Sequence, residues 1–123
     1  MGRFHNVDRV EMRGFSALLK WQFTKSPGKW PEWIGAPPAP APPSRVNSLR
    51  VTFVNHSTVL IQMDGQNILT DPVWSERASP FRSVGPRRHR PPGIRFEDLP
   101  RIDAVLVSHN HYDHLDLATL HRL

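Results

Sequence analysis

The sequence contains no cysteine. That excludes disulfides and any thiolate-bound zinc or iron–sulfur centre. No run approaches the roughly eighteen apolar residues needed to cross a bilayer. No basic start leads into an apolar stretch with a cleavage site, so a secretory signal is not expected. The expected location is the cytoplasm. Apolar residues are also sparse, at 38% of 123 positions, a thin supply for a core. Proline, by contrast, is abundant, with 13 residues. The formal charge of +5, from 16 Lys and Arg against 11 Asp and Glu, favours anionic partners without choosing among them.

Three stretches differ in composition. Residues 1–35 form a Trp-rich arm in which Val10–Phe23 has partial helical spacing, weakened by Gly14. Such an arm packs on a larger body; Trp21, Trp30 and Trp33 would also suit peripheral contact with a membrane. Residues 36–48 open with Ala36–Pro43, APPAPAPP, a stiff polyproline II spacer or a ligand for a proline-reading domain. From residue 49 the pattern becomes that of strands. Leu49–Val54 and Thr58–Met63 are rich in β-branched residues, Asp64-Gly65 signals a hairpin, and Asn67–Thr70 returns before Asp71-Pro72 stops it. Residues 75–101 read as a long loop with five Pro and seven Arg. Ile102–Val107 is nearly all apolar, as expected of a strand buried on both faces, and Leu115–Leu123 looks like a helix start capped by Asp116.

His109, His111, Asp113 and His114 fall within six residues between that strand and that helix. Three imidazoles and a carboxylate suit a borderline-soft divalent cation such as zinc. In extended backbone His109, His111 and Asp113 would share one side, with Asn110 and Tyr112 on the other. His114 would join them once the chain turns. Two diverging ligand pairs suit two neighbouring metal ions. The end of a buried strand is also where open sheets place ligand crevices.

The His-x-His-x-Asp-His run resembles the signature of the metallo-β-lactamase superfamily. Val54–Gln62, Leu69–Pro72, Ser75–Pro80, Gly85–Pro92 and Ser108–Asp116 occur in an order that resembles the branch containing N-acyl-phosphatidylethanolamine-hydrolysing phospholipase D and its bacterial relatives. The resemblance is specific from about Arg50 onward. It implies an α+β layered fold, with residues 49–123 forming the N-terminal part of an αββα sandwich. It implies that His109 and His111 bind one Zn2+ and Asp113 and His114 a second, with Asp113 also orienting the nucleophile. It implies hydrolysis of a phospholipid or other phosphoester, with lactone opening as an alternative activity. The family completes its two-metal site with two further His and a bridging Asp downstream. The 123-residue chain alone is therefore expected to be inactive, and to be unstable or to aggregate.

Other residues carry weaker expectations. His56 is expected near the site in a hydrogen-bonding role, and Asp71 either orients a metal ligand or caps a turn. Arg82, Arg87, Arg88, Arg90 and Arg95 form a basic loop suited either to phosphate or to plain solvation, with Arg87 and Arg88 the candidates for substrate contact. His5, His89 and His121 are expected to be solvated or locally bonded. A nucleic-acid-binding module is disfavoured because the Arg cluster is broken by Pro and has few interleaved aromatics. A non-catalytic protein that engages partners through APPAPAPP is the third reading, below the hydrolase.

Overall fold

The computed structural model describes residues 14–37, 39–81 and 83–123. His5, Arg82 and the Val10–Arg13 portion of the expected helix lie outside them. The chain divides into two units, Met1–Trp30 and Pro31–Leu123.

In the first unit, α1 spans Phe15–Thr24. Gly14 takes the N-cap position in extended geometry, so the residue that weakens the helical pattern lies before its first turn. Pro27 follows closely, and its ring disfavours helical backbone at Ser26. The Lys25 ammonium lies 4.9 Å from the centre of the Trp21 ring and bonds Gln22 Oε1. No residue of α1 is buried, and Phe15, Leu18, Trp21 and Phe23 are exposed.

The second unit is built on one sheet in the order β1-β2-β3-β4, with β1 Arg50–Asn55, β2 Thr58–Met63, β3 Gln66–Thr70 and β4 Ala104–Leu106. The first three strands are antiparallel neighbours. The β2–β3 hairpin turns at Asp64-Gly65, both at positive φ, as a two-residue loop between right-twisted strands requires. β4 runs parallel to β3. It follows that β1, β3 and β4 all point their C-terminal ends to the same edge.

One face of the sheet is covered. Val54, Leu60, Leu69 and Ile94 are buried there, with Trp74, Leu99 and Ile102 packed against them. Gln62 and Asn67 sit opposite each other on β2 and β3, and both are fully buried. Gln62 Nε2 donates to Asn67 Oδ1 and Pro43 O; Asn67 Nδ2 donates to Ser44 O and Arg101 O. These bonds satisfy the two amide nitrogens and Asn67 Oδ1, leave Gln62 Oε1 buried without a partner, and fasten the proline-rich segment to the sheet. Pro42 is buried, and Ala39 N bonds Gly93 O. The segment at 36–48 therefore lies along the second unit.

Two expectations need correction. The strand at 102–107 is shorter, Ala104–Leu106, and is not buried on both faces. It is the edge strand: β3 alone pairs with it, and Ala104 and Leu106 are exposed. Its apolar run reflects a face left open among the described residues. The helix expected from Leu115 is one turn, α2 Leu117–Leu120, with Asp116 as its cap.

Candidate metal centre

The site grows from the edge where β1, β3 and β4 end. His56 follows β1, Asp71 follows β3, and the run from Ser108 follows β4. Both His56 (φ 38°) and Asp71 (φ 36°) adopt left-handed backbone, which costs a non-glycine residue about 1–3 kcal/mol and persists where surroundings enforce it. The enforcing contacts are local. Asn55 Nδ2 donates to Val73 O, and Thr58 Oγ1 donates to Asp71 O. Asp71 N in turn bonds Leu106 O, which ties the ends of β3 and β4 together.

The metal motif does not continue β4 as an extended strand. Its backbone turns at Asn110–His114, with His114 N and Leu115 N both bonded to His111 O. The alternation expected from a strand is therefore absent, and Tyr112 lines the same cavity as His111 and Asp113. The turn still gathers the side chains. His109 Nε2 and His111 Nδ1 are 3.1 Å apart. The His109 ring centre is 4.0 Å from that of His114, which is 5.3 Å from that of His56. His56 Nε2 lies 3.0 Å and His114 Nε2 3.7 Å from Asp113 Oδ2. Ligand atoms of His56, Asp113 and His114 all fall within 4.8 Å of one another.

Asp71 and Ser108 order these imidazoles. Ser108 N and Oγ both donate to the Asp71 carboxylate, at 2.7 and 2.8 Å. The Ser108 hydroxyl has a single proton. Once it is given to Asp71, the oxygen must accept from His109 Nδ1, 2.9 Å away. His114 Nδ1 donates to Asp71 Oδ2 at 2.8 Å. Each proton so placed on Nδ1 leaves Nε2 of the same ring with its lone pair. Burial pushes the Asp71 carboxyl up, but the bonds from His114 and Ser108 outweigh it and hold the group below the usual carboxylate range. Asp113 behaves alike: burial raises it, and bonds from its own N–H and from His56 bring it lower.

The donor set fits a divalent metal. Two nitrogens at about 2.0–2.1 Å from one zinc, at a tetrahedral angle, stand roughly 3.3 Å apart. The His109–His111 separation of 3.1 Å is close to that. His114 and Asp113 offer a second pair beside it.

A cavity of about 610 Å³ opens next to these residues, lined by His56, His111, Tyr112 and Asp113 together with Arg87, Arg88 and Arg90. Arg88 is occupied by the fold. Its guanidinium donates to Ser75 O and Val73 O, and burial lowers its pKa. Arg87 is exposed, 3.7 Å from Glu76. Arg95 pairs with Asp98 and does not line the cavity. His89 bonds Glu32 O, and His121 is exposed at the end of α2.

Two contributions were not foreseen from the sequence. Ser108 adjoins the motif, but a serine there reads equally well as a strand end. Asp116 does more than cap α2. Its carboxylate accepts from Trp74 N, Ser75 N and Oγ, and Thr119 N and Oγ1. It thereby docks α2 on the loop that begins the arginine wall.

Residues 66–123 match the β-lactamase superfamily domain. Over 121 residues the chain is 40% identical to an uncharacterised protein of Mycobacterium tuberculosis, covering 93% of the chain and 30% of that relative. It is 47% identical over 77 residues to N-acyl-phosphatidylethanolamine-hydrolyzing phospholipase D 1 of Caenorhabditis elegans, covering 63% of the chain and 22% of the relative. It is also 38% identical over 86 residues to a Streptomyces venezuelae 4-amino-L-phenylalanyl-[CmlP-peptidyl-carrier-protein] 3-hydroxylase, covering 69% of the chain and 15% of the relative. The chain thus spans under a third of the length of these relatives. Its motif residues, from Asp71 through Asp116, fall inside the matched domain, and over residues 66–123 the chain belongs to the β-lactamase superfamily.

Proposed function

We propose that the chain carries the first half of a dinuclear, metal-dependent hydrolase centre, and that its substrate is a phosphodiester of the N-acyl-phosphatidylethanolamine type. The observation that carries this reading is the pairing of His109 with His111 and of Asp113 with His114 on one turn, beside a cavity with an arginine wall. In this reading His109 and His111 hold one zinc ion through the His109 Nε2 and His111 Nδ1 atoms that face each other. Asp113 and His114 Nε2 hold a second. Metal bound there would supply Lewis-acid polarisation of the attacked group and a nucleophile at neutral pH. The chain's own residues position these groups. Asp71 and Ser108 keep the Nδ1 protons in place, and His56 holds the Asp113 carboxylate. The relative from Caenorhabditis elegans supports the substrate class by its name.

Peripheral contact with a lipid surface belongs to the same proposal. It is supported by the exposed Phe15, Leu18, Trp21 and Phe23 of α1, with Lys20 and Lys25 beside them. No described helix is long and apolar enough to cross a membrane.

The test combines metal content with turnover. Full-length protein should bind two zinc equivalents and release phosphatidic acid from N-acyl-phosphatidylethanolamine. Loss of both on His109→Ala and His111→Ala substitution is expected. Tight iron binding with oxygen-dependent turnover, as the likeness to a hydroxylase would allow, would refute the hydrolase reading.

A further inference from the structure

The arginines of the basic loop are not equivalent. Arg88 is engaged by the carbonyls of Ser75 and Val73. Arg77 donates to Gly85 O, and Arg95 is paired with Asp98. Two guanidinium groups on the cavity wall lack such anchors. Arg87 faces only the exposed Glu76, at 3.7 Å, a separation that holds few side chains in place. Arg90 is exposed and makes no hydrogen bond or ion pair among the described residues.

Their backbone, however, is held. Arg77 and Arg87 form an antiparallel bridge, Arg88 N bonds Glu76 O, and Ala78 N bonds Pro86 O. The carbonyl of His89 accepts from Ile34 N at 2.6 Å, and Pro91-Pro92 stiffen the chain beyond Arg90. Two guanidinium groups without a close anchor thus line, on a fixed backbone, a cavity of about 610 Å³, a size that suits a small-molecule ligand. The same cavity is lined by His111 and Tyr112, two further donors for an oxyanion.

We propose that Arg87 and Arg90 form an anion subsite that takes the phosphate group of a phosphoester, in addition to the contacts the metal centre itself makes. Guanidinium groups match phosphate oxygens in paired, charge-assisted bonds. Arg88 serves this subsite only by fixing the wall. Glu76 competes for Arg87 and weakens the subsite when no ligand is bound. The assignment of the ligand as a phosphoester rests on the hydrolase reading; the location of the subsite does not.

The experiment is calorimetric titration of the full-length protein with inorganic phosphate, with and without added zinc. Arg87→Gln/Arg90→Gln should weaken binding about tenfold in both conditions, as expected for losing two charge-assisted contacts. Glu76→Gln should tighten it, and Arg95→Gln should leave it unchanged. Glycerol phosphate and vesicles containing phosphatidic acid then separate the sources. Competition by the first assigns a free phosphoester, and competition by the second alone assigns a lipid headgroup; either supports the subsite. Equal phosphate affinity for wild type and the double variant overturns it, as does equal weakening by Arg95→Gln. Zinc binding measured on the same variants keeps the two readings apart. Normal zinc binding with a phosphate affinity that Arg87→Gln/Arg90→Gln leaves unchanged refutes the subsite alone, and absent zinc with phosphate binding that the double variant still weakens refutes only the hydrolase centre.

Discussion

At the residue scale, the candidate centre is ordered by proton placement as much as by the side chains gathered there. Asp71 accepts from Ser108 twice and from His114 once, and Ser108 in turn accepts from His109. One carboxylate therefore orients two neighbouring imidazoles, His114 directly and His109 through Ser108. Asp71→Ala should weaken zinc binding about 10–100-fold, the usual cost of removing a partner that orients a ligating histidine. Competition against a chromophoric chelator would measure it. The same substitution relieves a positive φ poorly, because alanine also disfavours left-handed backbone, so some loss of thermal stability should accompany it. Unchanged zinc affinity would show that Asp71 serves the fold alone. The gathering of His109, His111, Asp113 and His114 was legible in the sequence because the four residues lie within six positions at a strand end. Ser108 was not legible, since its contribution arises from a bond to Asp71 that closes only when β3 and β4 lie side by side.

At the element scale, the parallel pairing of β3 with β4 decides where the site forms. Asp103 secures that pairing from the end opposite the site. Its carboxylate binds the Arg45 guanidinium and accepts from Asn67 N, so it joins the proline-rich segment, β3 and the approach to β4. The bond from Arg45, followed by that from Asn67, lowers its pKa to about 2. A carboxyl whose pKa is lower folded than unfolded adds stability that is full above about pH 4 and is lost as pH falls toward 2. The melting temperature of wild type should therefore fall across that window. Asp103→Ala should melt below wild type at neutral pH, and the difference should shrink as pH drops from 4 to 2. A gap that stays constant with pH would mean that the contacts are structural without being electrostatic. Hairpin residues Asp64-Gly65 announced β2 and β3 in sequence because the turn chemistry is local. The length and exposure of β4 could not be read the same way. An apolar run such as Ile102–Val107 looks alike whether its faces are covered by one layer or by two.

At the scale of the whole molecule, the sheet is covered on one side. Val51 and Phe53 of β1 lie 60% and 55% exposed, opposite Ile61 and Val59 of β2. Ile68 of β3 and Leu106 of β4 extend the same face. Apolar strands left open in this way, with β1 and β4 as unpaired edges among the described residues, favour association between chains. The covered face offers limited resistance, since its buried apolar core is Val54, Leu60, Leu69 and Ile94. The 123-residue chain by itself should therefore self-associate in a concentration-dependent manner. Val51→Lys/Phe53→Lys places two like charges on the open face and touches neither the core nor the turn that carries the histidines. Light scattering should show the double variant remaining monomeric at concentrations where wild type forms larger species. Zinc affinity should be the same for both, because the substituted face is on the side of the sheet away from Leu60 and Leu69 and the His-bearing turn lies beyond the strand ends. If the double variant associates as readily as wild type, the contacts between chains are made elsewhere, and the exposed residues of α1, Phe15 and Phe23 above all, become the surface to substitute next.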